Sequence, residues 1–107
     1  MKTVVFNVNG QSIYRDDPLD VLVAGSCGYL KAKFVFSNDW EGCEKVAGFF
    51  SKYGVEFEPQ RLSNDNTCII PEEALEYHEF KLRLYGRKQG VTITTRPITI
   101  TQYGGKI

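Results

Sequence analysis

The sequence predicts an all-β protein, an immunoglobulin-like or related antiparallel β-sandwich with about seven or eight short strands and one short helical turn. Three observations lead to this fold class. Apolar and polar residues alternate along several short runs, as in half-buried strands, and Gly and Pro turns separate these runs at regular spacing. Aromatic residues make up 13% of the 107 residues, which favours strands over helices. A chain of this length holds one core, so we expect a single domain over residues 1–107.

The first part of the chain predicts a hairpin. Thr3–Val8 and Gln11–Arg15 are β-prone runs, and Asn9-Gly10 between them tolerates the positive φ angles of a tight turn. Asp16-Asp17-Pro18 ends the second strand, because proline lacks the N–H that a sheet needs. Leu19–Ala24 follows as a second apolar run.

The central part predicts a half-buried strand over Tyr29–Phe36, because alternate residues share one face. The predicted inward residues are Leu30, Ala32, Phe34 and Phe36, and the outward residues are Tyr29, Lys31, Lys33 and Val35. Ser37–Gly42 is a turn cluster that contains the only tryptophan, Trp40. Three further β-prone runs and a polar loop complete this part: runs at Lys45–Phe50, Tyr53–Phe57 and Thr67–Ile70, and the loop at Pro59–Asn66.

The C-terminal part contains the one helical signal and three more strands. Pro71–Leu75 favours a short helical turn, since proline suits the first helical position and two glutamates suit the positive end of the helix dipole. Alternation returns in Glu79–Gly86, with Phe80, Leu82 and Leu84 predicted inward. The remaining expected elements are a turn at Arg87–Gly90, Thr/Ile strands at Val91–Thr95 and Ile98–Thr101 around an edge or bulge at Pro97, and a flexible tail at Tyr103–Ile107.

Composition narrows the class of function. The chain carries 13 basic and 13 acidic side chains, so it lacks the basic excess of nucleic-acid binders, and we expect no nucleic acid as a partner. Zero net charge also removes a barrier to self-association. No apolar stretch approaches the ~20 residues that span a bilayer, so no membrane partner is expected. The cysteines Cys27, Cys43 and Cys68 are widely spaced and follow no signal peptide, which predicts reduced, buried thiols in a protein made in the cytoplasm.

The residues predict no catalytic, cofactor-binding or metal site. His78 is the only histidine and no nucleophile motif accompanies it, so we expect a surface or hydrogen-bonded side chain. Ser63–Asn66 is oxygen-rich but too short for a calcium loop, and we interpret it as a polar turn. Gly25–Gly28 lacks the Lys-Ser/Thr of a phosphate loop and is interpreted as a turn or bulge. A helix start explains the pair Glu72 and Glu73.

Two further patterns have both a functional and a structural explanation. Cys27, Trp40 and Cys68 come in the order of an immunoglobulin disulfide and its tryptophan, but Trp40 lies in a turn cluster and no Tyr precedes Cys68 by two residues. We therefore expect no disulfide. The outward tyrosines Tyr29 and Tyr85 have faces that could stack on sugar rings, although exposed aromatics on strands also form cross-strand pairs.

The order of motifs between residues 29 and 100 resembles that of a known family. The motifs are Leu30-x-Ala32-x-Phe34-x-Phe36, Asp39-Trp40-x-Gly42, Lys45-x-Ala47-x-Phe49, Cys68-x-Ile70-Pro71-x-Glu73-x-Leu75, Phe80-x-Leu82-x-Leu84-x-Gly86, Thr92-x-Thr94-Thr95 and Ile98-x-Ile100. They are similar to motifs in β-sandwich domains of structural proteins from phages that infect Gram-positive bacteria. These proteins are the baseplate upper protein, in its N-terminal domain, and related minor tail or head-fibre proteins.

The resemblance implies a non-enzymatic virion part that docks in a tail, baseplate or head-fibre assembly, as a homo-oligomer or with other virion proteins. It also implies scaffold roles, in which Trp40 plugs one end of the sandwich, Pro71–Leu75 caps the opposite end and Gly86 lets the chain turn. Baseplate upper proteins are longer, so we expect either a complete small protein or a trimmed domain. A carbohydrate-binding or receptor-binding module is the alternative, and an enzyme fragment or inhibitor is the third.

Overall fold

The structure, a computed structural model, describes all 107 residues, Met1 to Ile107. Nine β-strands form two sheets, and the predicted all-β sandwich is confirmed. The strands are β1 (Lys2–Asn9), β2 (Ser12–Arg15), β3 (Leu30–Phe36), β4 (Glu44–Ser51), β5 (Gln60–Arg61), β6 (Thr67–Ile69), β7 (Glu79–Lys88), β8 (Val91–Thr94) and β9 (Ile98–Thr101). A 3-10 turn covers Asn38–Trp40, and the single α-helix, α1, is the short turn Glu72–Leu75. No helix of the protein has the length and apolar character needed to cross a bilayer.

The first sheet has the strand order β2-β1-β3-β6, and the second has β5-β4-β7, with β8 and β9 both paired to the far side of β7. All neighbouring strands are antiparallel except β1 and β3, which run parallel with Phe6 opposite Phe34. This exception departs from the predicted antiparallel sandwich. Strand β2 ends at the end of the sandwich where β1 begins, and residues 16–29 stay at that end, so β3 starts beside the start of β1.

One cluster of buried apolar side chains fills the space between the sheets. The alternation predicted for β3 and β7 is confirmed, since Leu30, Ala32 and Phe34 are buried in β3 and Phe80, Leu82 and Leu84 in β7. The cluster contains Val4, Phe6, Val8, Ile13, Leu22, Leu30, Ala32, Phe34, Trp40, Ala47, Phe49, Cys68, Ile70, Ala74, Leu75, Phe80, Leu82, Leu84 and Ile100. Both sheets therefore contribute to a shared core, as in a two-layer sandwich.

The break between β8 and β9 is a bulge, as the sequence predicts around Pro97. Tyr85 pairs with Thr94 while Leu82 pairs with Ile98, so the three residues 95–97 between β8 and β9 face only two residues of β7, 83 and 84. Thr95 fills the gap, because its Oγ1 accepts a hydrogen bond from the Leu84 N–H at 3.0 Å. The side chain thus satisfies a buried donor that the broken ladder leaves free.

The sandwich has two distinct ends. We call one the Trp40 end; it consists of the turns at residues 10–11, 37–43 and 89–90. We call the other the helix end; it consists of residues 16–29, 52–55, 71–78 and 102–107, together with Met1. The placement of Trp40 and α1 at opposite ends agrees with what the resemblance implies.

Trp40 closes its end from inside the sandwich. Its ring is fully buried, lies 5.1 Å from the Phe36 ring, and donates from Nε1 to the Gly10 carbonyl at 2.8 Å. Gly86 lies inside β7, opposite Lys45, and not in a turn as the resemblance implies. A Cβ on Gly86 would lie 2.5 Å from Cζ3 of Trp40, so the glycine makes room for the indole.

Two segments differ from their predicted structure at the helix end. Tyr53–Phe57 is not a regular strand, because a turn at Gly54, with φ of 86°, leaves only a single bridge between Phe50 and Glu56. The predicted flexible tail at Tyr103–Ile107 is instead hydrogen-bonded along residues 103–106. The Tyr103 N–H donates to the Leu22 carbonyl at 2.7 Å, and the His78 N–H donates to the Lys106 carbonyl at 2.8 Å.

Candidate functional site

His78 has hydrogen-bonding partners on both sides of its ring. Its Nδ1 lies 3.0 Å from the Lys106 carbonyl oxygen, and its Nε2 lies 3.3 Å from Oε1 of Glu79. The interpretation of His78 as a hydrogen-bonded side chain is confirmed. The two partners are a backbone carbonyl and a carboxylate, not a hydroxyl or a thiol. Because one partner lies in the C-terminal segment and the other at the start of β7, the ring connects these two segments.

The three cysteines occupy three different environments. Cys68 is buried, as predicted, whereas Cys43 is half-buried and Cys27 is exposed, so the prediction of buried thiols is wrong for Cys27. Burial raises the pKa of the Cys68 thiol to about 12. A hydrogen bond to the Glu72 carboxylate, and next the charge of that carboxylate, raise the pKa of the Cys27 thiol. Both effects favour the protonated thiol, which is a poor nucleophile.

Ser63–Asn66 forms a polar turn, as predicted, with Asn66 at φ of 61°. The hydroxyls of Ser63 and Thr67 donate to Oδ1 of Asp65, and these two hydrogen bonds lower the pKa of Asp65. Open clefts of about 520 Å³ and 250 Å³ lie beside this turn. Arg61 and Glu44 pair across the smaller cleft at 3.1 Å.

The two outward tyrosines do not share a surface. Tyr29 precedes β3 of the first sheet at the helix end, and Tyr85 lies on β7 of the second sheet. The Tyr85 ring covers Gly48 of the neighbouring strand, where a Cβ would lie 2.9 Å from Cε2. Tyr85 therefore packs across neighbouring strands, which is the structural alternative to stacking on a sugar ring. One sugar ring cannot stack on both tyrosines.

The helix end presents an apolar run to solvent. In the run Leu19–Ala24 only Leu22 is buried, whereas Leu19 is 88% exposed and Val23 56% exposed. The run is extended here because Leu22 accepts from the Tyr103 N–H and Ala24 donates to the Tyr103 carbonyl at 3.0 Å. An extended chain turns alternate side chains to opposite sides, so burying Leu22 leaves its neighbours outside.

Other segments of the helix end add exposed apolar side chains to this run. The C-terminal segment contributes Tyr103, which is 75% exposed, and the turn after β4 contributes Tyr53, which is 77% exposed. The complete set at this end is Met1, Leu19, Val21, Val23, Tyr29, Tyr53, Val55, Tyr103 and Ile107. The remaining exposed large apolar side chains are Tyr14, Val35 and Ile69 on the first sheet and Val91 beside the Trp40 end.

The helix end is also acidic. Its four segments contain six carboxylates, on Asp16, Asp17, Asp20, Glu72, Glu73 and Glu76, and two ammonium groups, on Lys52 and Lys106. Asp20 pairs with Lys2 at 3.0 Å, and Glu76 pairs with Lys106 at 3.1 Å. The other four carboxylates form no ion pair within the chain. Exposed apolar groups among unpaired carboxylates form a surface suited to contact with a macromolecule.

The sequence marks Leu19–Ala24 as apolar but does not reveal that most of it faces solvent. The available signal is its position, because Asp16-Asp17-Pro18 before it and Gly25–Gly28 after it separate it from every regular strand. No protein-family model matches the chain, and no curated protein matches it in sequence. The helix end is therefore interpreted from its own residues.

Proposed function

We propose that the protein is a non-enzymatic docking module of an oligomeric assembly, of the phage tail, baseplate or head-fibre kind that the resemblance implies. Its helix end is the docking surface. It is made in the host cytoplasm and works in the virion with other virion proteins or with further copies of itself. The observation that carries the proposal is the concentration of nine exposed large apolar side chains at one end of the sandwich.

The exposed area supports docking on energetic grounds. Monomeric soluble proteins rarely expose contiguous apolar patches above a few hundred Å², and larger ones mark interaction sites. Side chains of this size each expose on the order of 100 Å², so nine of them approach the ~800 Å² that each partner contributes to a standard interface. Burial stabilises a complex by roughly 25 cal/mol per Å² before the costs of association are subtracted.

The state of the reactive groups supports a role without catalysis. The ring nitrogens of His78 are held by Lys106 and Glu79, and the thiols of Cys27 and Cys68 favour their protonated form. The alternative, a carbohydrate-binding module, has less support because Tyr29 lies at the helix end, before β3, whereas Tyr85 lies on β7 of the second sheet.

The test is co-expression of the protein with each protein encoded by a neighbouring gene, followed by size-exclusion chromatography. One variant combines Leu19→Ser with Val23→Ser at the helix end. The control is Val35→Ser on the first sheet, where the valine is 50% exposed, close to the 56% of Val23. We expect a neighbouring protein to bind the wild type and the control, and the double variant to bind at least about tenfold more weakly. Amine-reactive cross-links should involve Lys52 and Lys106, the two helix-end lysines.

Two outcomes contradict this proposal. One is that no neighbouring protein and no further copy of the chain binds. The other is that Val35→Ser weakens binding as much as the double variant, which would place the docking surface on the first sheet.

A further inference from the structure

The helix end has a net negative charge although the chain as a whole is neutral. Its segments contain six carboxylates and two ammonium groups. The residues that border these segments do not change the excess, because Lys2 and Arg15 add two cations while Glu56 and Glu79 add two carboxylates. A surface with an excess of one sign attracts partners of the opposite sign and repels those of its own.

The cations beside these carboxylates are largely engaged within the chain, whereas several carboxylates are free of them. Lys2 and Arg15 both lie beside Asp20, at 3.0 Å and 3.8 Å, and Lys106 forms an ion pair at 3.1 Å. Four carboxylates of the helix end form no ion pair, namely those of Asp16, Asp17, Glu72 and Glu73. Hydrogen bonds to a carboxylate are strongest when the donor is itself a cation, so these four groups have unused binding capacity.

The four unpaired carboxylates lie near both ends of the exposed apolar run. Asp16 and Asp17 come just before the run Leu19–Ala24. The other two belong to α1, and the Gly25 N–H, directly after the run, donates to the Leu75 carbonyl of α1 at 2.8 Å. The helix end therefore presents an apolar strip between two acidic groups.

A cleft beside the run has the size of one side chain. It measures about 270 Å³ and lies between residues 18–22 and residues 101–103. Its apolar walls come from Leu19, Val21, Leu22 and Tyr103. The two charged residues that line it, Arg15 and Asp20, contact each other, so the cleft itself does not require a charged group. Pockets for whole small molecules measure about 300–1,000 Å³, so this cleft suits an anchoring side chain of a larger partner.

The sign of the charge decides which class of macromolecule the helix end suits. Nucleic acids and anionic membrane surfaces are themselves negative, so the unpaired carboxylates repel them. The helix end of a second copy is negative as well. A protein segment can bring an apolar anchor together with cations, and arginine is enriched in the energetic centres of interfaces.

We infer that the helix end binds a segment of another protein in which Lys or Arg side chains flank an apolar anchor. This inference rests on the proposed function, in which the helix end is the docking surface. The anchor enters the cleft beside Leu19, and the cations contact the carboxylates at the two ends of the run. Burial of the anchor supplies affinity, whereas the charge pairs select the partner and accelerate its association.

The test measures the binding of three synthetic amphipathic peptides to the full chain by fluorescence anisotropy. The peptides share their apolar residues and differ only in the polar ones, which are Lys and Arg, Gln, or Glu. The acid variant removes the four unpaired charges and keeps the side-chain shapes, with the substitutions Asp16→Asn, Asp17→Asn, Glu72→Gln and Glu73→Gln. The control variant removes four exposed carboxylates from other surfaces, with the substitutions Asp39→Asn, Glu41→Gln, Glu44→Gln and Glu58→Gln. The two variants have the same net charge, and each is first checked for the thermal unfolding midpoint of the wild type.

We expect the wild type to bind the cationic peptide at least about tenfold more tightly than the glutamine peptide, and to bind the glutamate peptide most weakly. The acid variant should lose most of this preference, and the control variant should keep it. The preference should also disappear in about 1 M salt, where the Debye length is about 3 Å.

The inference is overturned if no peptide binds, if the three peptides bind equally well, or if the control variant loses the preference as completely as the acid variant. Binding of the helix end to phosphatidylcholine vesicles, with no preference among the peptides, would assign the surface to lipid instead. A neighbouring protein whose binding is weakened by Leu19→Ser with Val23→Ser, but not by the acid variant, refutes the inference alone. Absence of any binding partner for the helix end refutes the proposed function as well.

Discussion

At the Trp40 end the largest side chain of the protein is fully buried, whereas at the helix end nine large apolar side chains lie in solvent. Both ends are made of short connections between the same two sheets. The difference lies in what closes the core. Trp40 fills the Trp40 end from inside, and the polar residues Asn38, Asp39 and Glu41 are left outside. At the helix end Leu22, Ala74 and Leu75 are buried, and their apolar neighbours have no place in the core.

The difference between the ends implies that one end contributes mainly to the stability of the fold and the other mainly to the binding of a partner. A buried ring with a satisfied N–H contributes packing and leaves little apolar surface for a partner. The exposed apolar side chains of the helix end contribute nothing to the core, and their burial becomes favourable only when another molecule covers them. Substitutions at the Trp40 end should therefore change the free energy of unfolding, and substitutions at the helix end should change binding.

The largest effect on stability is expected for Trp40→Ala. Removing this buried ring leaves a cavity, and we expect the free energy of unfolding to fall by about 3–5 kcal/mol. Tyr53→Ala at the helix end removes a ring that is 77% exposed, so it should change the free energy of unfolding by less than about 0.5 kcal/mol. Urea denaturation followed by circular dichroism measures both. Similar losses for the two variants would contradict the division between the ends.

A smaller effect is expected for Gly86→Ala, which overfills the Trp40 end. The added Cβ would lie 2.5 Å from Cζ3 of Trp40, and a fully buried indole cannot move aside, so we expect a loss of about 1–3 kcal/mol. The matched control is Gly48→Ala, also inside a strand. There the added Cβ meets the half-buried rings of Tyr85 and Phe50, which can rotate toward solvent.

The change in the free energy of unfolding should therefore differ in sign or size between Gly86→Ala and Gly48→Ala. The strain in Gly48→Ala should be largely offset by the roughly 0.5–1 kcal/mol that alanine gains over glycine in a strand. If Trp40 is replaced by Phe, the cost of Gly86→Ala should fall, because the smaller ring leaves room for the methyl group. An additive double variant would show that the indole is not the reason for the glycine.

Local patterns were sufficient to predict most of the strands. The exceptions are Tyr53–Phe57, which is not a regular strand, and β5, which lies inside the predicted loop Pro59–Asn66. The alternation in β3 and β7 reflects a side-chain period of two, which holds wherever one face of a strand is buried. The position of Gly86 shows where local reasoning ends. A glycine suggests a turn when only its sequence neighbours are considered, but its reason here is the Trp40 ring, which comes from a distant part of the chain.

The structure of the helix end could not be predicted either, because it also depends on contacts between segments that are distant in the sequence. Tyr103 holds Leu22 and Ala24 through two backbone hydrogen bonds that join the two halves of the chain. An apolar run such as Leu19–Ala24 looks like a core strand until its pairing is known. The tail looks flexible because its partners, Leu22, Glu76 and His78, are far away in sequence.

The smallest expected effect is on the reactivity of the Cys27 thiol, which depends on the negative charge of a helix-end carboxylate. The Glu72 carboxylate accepts a hydrogen bond from this exposed thiol and raises its pKa, so less of the reactive thiolate exists at a given pH. Glu72→Gln keeps the shape and removes the charge. We expect Cys27 to react modestly faster with iodoacetamide at about pH 8, measured by peptide mass spectrometry, because its pKa falls. Glu73→Gln on the same helix should leave the rate nearly unchanged, and equal rates for wild type and Glu72→Gln would show that the carboxylate does not control the thiol.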